Sequence, residues 1–355
     1  MKLRASSAPR CIPSRDNGFM TDAQNGPLRV GKLPPDLLGQ LLEQANIGDP
    51  SVILGPRMGE DAALIDSGGE NYLVVSSDPI TFAAEQLGWY AVHVNANDIA
   101  ATGGTPRWMV MTVILPDGSP PQLAKDIMRQ TLDACAEIGV TLVGGHTEVT
   151  YGIDRPIAIG TMIGEVARGK QTPTSGVQEG DAIVLSKGVG IEGTAILAIE
   201  VADRLRAAGV SDETIRHGAD FLHDPGISVV HDSHIALKTV PIHAMHDPTE
   251  GGIATALHEM ADASDVGLDI DADAMEAMTS PEATEICRAL SVDPLGLIAA
   301  GGLLLAVAPD DATAVIAALE GASIRATQIG LAVPRPQGVN VPRFARDELA
   351  RVLST

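Results

Sequence analysis

Positive charge, aromatic side chains, cysteine and long apolar runs are all scarce in this 355-residue chain. Lysine and arginine number 24 against 46 acids, a formal net charge of −22. A chain this acidic is not expected to bind nucleic acid or anionic membrane, and phosphate requires metal ions to supply positive charge. Aromatics make up only 3% of the residues, so Ala, Gly, Val, Ile and Leu must do the packing. The three cysteines, Cys11, Cys135 and Cys287, show neither CxxC pairing nor zinc-ligand spacing. No disulfide framework or zinc site is therefore expected, and a reducing cytoplasm is the expected location. No run approaches the ~20 apolar residues of a membrane span. Residues 1–30 lack the apolar stretch of a signal peptide and read as a flexible extension.

Several catalytic signatures are missing too. Nothing reads GxxxxGK[ST], no kinase-type catalytic loop appears, and there is no GxSxG elbow. The run Gly188-Val189-Gly190-Ile191-Glu192-Gly193 matches GxGxxG and follows an expected strand at 182–186. A Rossmann unit needs a second parallel strand soon after the helix, whereas residues 211–223 are polar. No nicotinamide or flavin site is expected.

What is present is 45% hydrophobic residues and a length that favours two cores. Periodicity predicts a helix at 34–46, strands at 62–65 and 72–76, and a helix rich in small residues at 83–101. A strand at 107–115, a helix at 122–138 and strands at 141–143 and 155–166 follow. That order is the signature of an α+β domain of ferredoxin-like character over residues 31–168. The polar stretch 167–180 carries the boundary. Residues 176–335 read as a second, α/β domain, with one long helix at 194–208, and residues 336–355 as a tail.

Four short acidic motifs stand out: Gly59-Glu60-Asp61-Ala62-Ala63, Asn95-Ala96-Asn97-Asp98, Gly144-Gly145-His146-Thr147-Glu148 and His246-Asp247-Pro248-Thr249-Glu250-Gly251-Gly252. Each sets an acid or amide at the end of an apolar run, beside small residues that allow close approach. Mg²⁺ is commonly held by one or two carboxylates plus substrate phosphates, so the set reads as a Mg²⁺–nucleotide site. Asn97 and Asp98 are poor helix formers inside a helix, tolerable against a polar cavity. Gly144 and Gly145 at a strand end would bring backbone N–H groups to a ligand. Thr249 either caps the next helix or faces the ligand. Lys187 either meets a phosphate or is a solvated strand-end lysine.

In this order the motifs, with Ser77-Asp78-Pro79 and Gly190-Ile191-Glu192-Gly193-Thr194-Ala195, resemble the aminoimidazole ribonucleotide (AIR) synthetase-related, PurM-like superfamily. Within it the chain is most similar to the HypE hydrogenase-maturation family. The resemblance covers roughly residues 34–333. It implies a homodimer of two-domain subunits, paired through N-terminal domains, using ATP and Mg²⁺ to phosphorylate an oxygen nucleophile. Carried over by position, Asp61, Asp78, Asp98 and Asp247 match metal and phosphate-site acids. Asp98, Asp247 and Glu148 are the implied catalytic groups. Asn97, Gly144, Gly145, His146, Thr147, Lys187, Gly190, Thr249 and Gly251 are the implied nucleotide-side groups. HypE proteins act on a cysteine at their own C-terminus, and the sequence carries none after Cys287. The expectation is therefore a carbonyl, amide or phosphate oxygen of a separate small molecule. The alternative is a maturation factor whose nucleotide controls docking to a partner protein.

Overall fold

The computed structural model describes residues 28, 30–45, 47–82 and 85–354. The expected N-terminal extension lies outside the described residues except for Leu28 and Val30. The first half comprises α1 (Pro35–Leu42), β1 (Val52–Leu54), β2 (Ala63–Ile65), β3 (Asn71–Ser76) and β4 (Pro79–Ile80). It continues with α2 (Leu87–Ala101), β5 (Thr105–Pro116), α3 (Pro121–Glu137), β6 (Thr141–Thr150) and β7 (Ile157–Ala167). The strand order is β1-β2-β3-β7-β5-β6, with β4 also on β7. Only β5 and β6 run parallel; the other pairs are antiparallel.

Period-2 patterning sets the inner face of this sheet. On β5, Met109, Met111, Val113 and Leu115 are buried. On β7, the inward positions include Gly160 and Gly164, where a Cβ would overlap the side chains of Asn95 and Ile99. Those glycines let α2 lie directly on the sheet. All fifteen residues of α2 are buried, the condition expected of a helix enclosed on every side. Truncating a fully buried α2 residue such as Ile99 to Ala costs about 2–5 kcal/mol. Polar residues on such a helix must therefore find partners or a cavity.

The second half comprises β8 (Ala182–Ser186), α4 (Ile191–Glu200), α5 (Ala202–Ala207), α6 (Asp212–Asp220), α7 (Val230–Thr239), β9 (Ala244–His246) and α8 (Gly252–Ser264). Then come β10 (Gly267–Ile270), α9 (Ala272–Met278), α10 (Pro281–Leu290), β11 (Leu304–Val307), α11 (Ala312–Gly321), β12 (Ala326–Val333) and α12 (Glu348–Leu353). Its sheet has the order β10-β12-β8-β11-β9, and every pair is antiparallel. Apolar residues of α8 and α9 pack with one face, those of α7 and α11 with the other. A further core joins α2 and the first sheet to α4, α5, α6, α10 and α12, so the two halves share buried surface.

Both neighbours of β8 are antiparallel, so the GxGxxG run is not part of a βαβ unit, consistent with its sequence context. Other expectations need correction. The helix expected at 194–208 begins at Ile191 and breaks at Val201, whose φ/ψ of −124°/29° is not helical. Residues 336–355 are not simply a tail, because α12 buries Leu349 and Val352 in the core shared by both halves. Among the described residues, no helix is long and apolar enough to cross a membrane.

Candidate functional site

The floor of the site is where β3 ends against α2. Asn95 clamps the backbone of Asp78: its Oδ1 accepts from Asp78 N–H at 2.8 Å, and its Nδ2 donates to Asp78 O at 3.2 Å. One helical turn on, Asp98 accepts a short hydrogen bond from the Ser76 hydroxyl. The opposite wall is the end of β9 and the loop into α8. There Asp247 is 1% exposed, and neither of its carboxyl oxygens has a hydrogen-bond partner. Asp61 is anchored by His246, Nδ1 to Oδ1 at 2.7 Å. Its neighbour Glu60 accepts from the backbone N–H groups of Thr174 and Ser175 at 3.0 and 3.2 Å.

Four acids from distant parts of the chain thus form one electrostatic unit. Burial, then Asp78, Asp247 and Asp61, hold the Asp98 carboxyl well above the usual carboxylate range. Burial and Asp61 do the same to Asp247, and burial and Glu250 raise Asp78. A second network offsets part of this charge. His246 Nε2 meets Glu259 Oε2 at 3.2 Å, and Lys32 Nζ lies 3.5 Å from Glu259 Oε1. Burial opposes a charge on His246, but Asp61 and Glu259 outweigh it and raise its pKa to about 10.

Such a set suits a divalent cation, because buried carboxylates without enough counter-charge are costly unless paired or metal-bound. The orphaned oxygens of Asp247 carry that fit. Among the described residues, no three acids, histidines or cysteines converge closely enough to enclose an ion by themselves. Asp61, Asp78, Asp98 and Asp247 therefore suit Mg²⁺ held jointly with phosphate oxygens rather than a closed protein cage.

Beside the acids opens a narrow cleft, about 480 Å³ when the open solvent at its mouth is included. Asp78, Thr81, Glu192, Thr249 and Glu250 supply its polar lining, and Ile80, Phe82, Val94, Ile196 and Ile298 its apolar walls. Glu192 lies in the first turn of α4 and is 5% exposed. Its Oε2 accepts from Ala300 N–H at 3.2 Å, and burial, with Glu250 next, pushes its pKa to about 8. The loop before α8 is held from behind. Asp347 Oδ2 accepts from Gly251 N–H at 2.6 Å, while its Oδ1 accepts from Leu349 N–H at the start of α12.

Other expected residues sit elsewhere. Asn97 is fully buried, and its amide bridges α2 to the second half: it donates to Ile227 O and accepts from Val229 N–H, each at 2.8 Å. The amide that shapes the acid site is Asn95. Residues 144–148 form no turn; they run through β6, an exposed edge strand. His146 and Glu148 bond one another there at 3.1 Å, on the rim strand of the sheet. Gly145 has φ +156°, and a Cβ would overlap the Met111 carbonyl on β5. That close strand contact accounts for this glycine.

Lys187 lines a second hollow with Gly188, and its ammonium is buried against Asp232 at 3.2 Å and Ser228 O. Gly190 and Gly251 are the N-caps of α4 and α8, both with positive φ. Thr249 makes no side-chain cap to α8 and instead lines the cleft. Sequence reasoning missed Lys32, His246, Glu259 and Asp347 as parts of this site. Only His246 carried a signal, its place beside Asp247.

The chain matches the AIR synthase related protein N-terminal domain over residues 59–166 and the corresponding C-terminal domain over residues 178–341. A putative hydrogenase expression/formation protein of Methanocaldococcus jannaschii is 31% identical over 292 residues, 79% of this chain and 82% of that relative. The carbamoyl dehydratase HypE of Cupriavidus necator is 32% identical over 273 residues, 75% and 74% of the two chains. Among solved structures, HypE in its complex with HypF superposes with a TM-score of 0.67 at 22% identity, covering 84% of this chain and 93% of that one. HypE in complex with ATP gives 0.62 at 22% identity, covering 87% and 91%. The chain belongs to the AIR synthase-related family and has its PurM-like two-domain fold.

Proposed function

We propose that this protein is an ATP- and Mg²⁺-dependent phosphoryl-transfer enzyme that activates an oxygen of a small molecule. The observation that carries this reading is the group of four acids, Asp61, Asp78, Asp98 and Asp247, drawn from both halves into one electrostatic unit beside a cleft that Asp78 lines. Bound there, Mg²⁺ would supply the charge that offsets the triphosphate and stabilises phosphoryl transfer. Asp61, Asp78, Asp98 and Asp247 would hold it, Thr249 on the cleft wall would face the phosphates, and the apolar walls would exclude water. The HypE structure in complex with ATP and the relative named carbamoyl dehydratase favour the same class of chemistry. A cytoplasmic location, suited to the buried free thiols of Cys135 and Cys287, belongs to this reading.

A homodimer closed through β6 is part of the proposal. Among the described residues, that ten-residue strand is paired on one side only, with Val143 and Val149 more than half exposed, an arrangement that invites pairing with another strand. Pairing there would set Gly144, Gly145, His146, Thr147 and Glu148 at the seam between two copies, where they serve the nucleotide side of the site. The second reading, nucleotide-controlled docking to a maturation partner, draws on the HypE–HypF complex.

The deciding experiment is calorimetric ATP binding with and without Mg²⁺ on the wild type and Asp98→Asn, followed by an ADP-release screen. Mg²⁺-dependent binding that weakens at least tenfold in the variant supports the enzyme reading. A folded wild type that binds no ATP refutes it.

A further inference from the structure

The cleft beside the acids has carboxyl groups from Asp78, Glu192 and Glu250 on its walls and, among the described residues lining it, no lysine, arginine or histidine. Glu192 stands apart from the four-acid group, on a different helix. Its Oε2 is fixed by the Ala300 N–H, which orients the carboxyl and leaves Oε1 for the cleft. The titratable groups that bear on it are Glu250, Asp347 and Asp247, together with the buried Tyr90 hydroxyl, which has no hydrogen-bond partner. All are acids or neutral. A buried carboxyl so placed has a backbone N–H on one oxygen and no counter-charge from the protein, which is why burial and its neighbours raise it to about 8. The remaining lining is Thr81, Thr249 and aliphatic side chains together with Phe82, and an aromatic ring can attract a ligand cation.

We infer that the cleft takes a cationic substrate, with an ammonium or amidinium head against Glu192 and an apolar body against Ile80, Ile196 and Ile298. This rests on the phosphoryl-transfer reading for its placement and narrows it: the oxygen to be phosphorylated belongs to a positively charged molecule, not to a phosphate ester or carboxylate. Among the described residues, the walls place no side-chain cation against Glu192 and Glu250 to offset an anionic substrate, and Lys32, the cation that bears on Glu250, is engaged by Glu259.

The test uses three probes of nearly one shape that differ in charge: benzamidine, benzamide and benzoate. Each is titrated calorimetrically into the full chain with Mg²⁺ present and no nucleotide, so the result does not depend on ATP turnover. Benzamidine is expected to bind at least tenfold more tightly than benzamide, with benzoate weaker still. Binding should release a proton near pH 7, seen as a dependence of the heat on buffer ionisation enthalpy. Glu192→Gln should lose about tenfold in benzamidine affinity, the proton release and the discrimination from benzamide, with Mg²⁺-dependent ATP binding showing that the variant is folded. Benzoate binding as tightly as benzamidine, no binding by benzamidine, or an unchanged benzamidine affinity in Glu192→Gln overturns the inference. Loss of ATP binding in the wild type would instead count against the phosphoryl-transfer reading alone.

Discussion

Replacing Asp247 with asparagine should make the metal-free protein more stable while removing its response to Mg²⁺–ATP. Asp247 is 1% exposed, both its oxygens lack partners, and Asp61 and Asp78 repel its charge. Burying such a group unsatisfied costs about 1–3 kcal/mol, more when it is charged. The neutral isostere keeps the shape and removes the repulsion. Because folding raises this carboxyl, its native form is favoured below the unfolded value of 3.8, and stability is lost as pH climbs toward the folded value. The advantage of Asp247→Asn should therefore vanish near pH 3.5 and grow with pH. With an unfolding entropy typical for a chain of 355 residues, 1–3 kcal/mol corresponds to a rise in Tm of about 1–4 °C. Differential scanning fluorimetry in chelator at pH 6, 7 and 8 measures it. Ligand at a hundred times its Kd stabilises by about 2.7 kcal/mol, so Mg²⁺–ATP should raise the wild-type Tm by about 3–4 °C and the variant by far less. A variant less stable than wild type in chelator at pH 8, or equally stabilised by Mg²⁺–ATP, would refute the reasoning.

His246 should likewise lose stability as pH rises, but over a higher window. Its raised pKa contributes stability that is fully present below 6.5 and lost as pH rises through about 10. In chelator, His246→Asn should trail the wild type by at most about 5 kcal/mol at pH 6, and the gap should close near pH 10.5; a gap independent of pH would contradict the Asp61–His246 pairing. Gly145→Ala should cost more than about 2 kcal/mol, since its Cβ would overlap the Met111 carbonyl. Denaturant unfolding measures the loss, and a change within 0.5 kcal/mol would show that the β5–β6 contact is not tight. Asp347→Ala should destabilise the protein by about 1–2 kcal/mol and weaken Mg²⁺–ATP binding, because it frees the Gly251 loop. Unchanged nucleotide affinity in that variant would confine Asp347 to capping α12.

The periodic elements were legible because each follows a local rule. The alternation on β5 and the Pro-initiated α3 and α10 depend on nearest neighbours along the chain. Asp61, Asp98 and Asp247 stood out in short acidic motifs, while Asp78 entered through the family resemblance. Their assembly was not legible, because it depends on which strand ends meet in space. Asn97 and Asn95 read alike in sequence. Only the register of α2 on β7 shows that Asn95 faces Asp78 while Asn97 faces residues 227–229. Residues 144–148 read as a strand end because twin glycines often close a strand, whereas β6 continues through them and Gly145 relieves a clash within a parallel pair. Lys32 and Asp347 lie far along the chain from the motifs, and no local pattern marks either. The short α12 escaped notice because its apolar face spans little more than one turn.

The burial of α2 has a consequence for how this protein can change over evolutionary time. One helix supplies both the centre of the first hydrophobic layer and, through Asn95 and Asp98, the acid floor of the site. Its amides should be among the last to exchange with solvent, so the floor is as rigid as anything in the molecule. A saturation scan across residues 87–101 should find loss of folding and loss of ligand binding at interleaved positions, leaving little room to retune one without the other. New specificities are more readily reached from the facing side, through α4 and the loop before α8, where the walls of the cleft can vary without reaching the helix that holds the fold together.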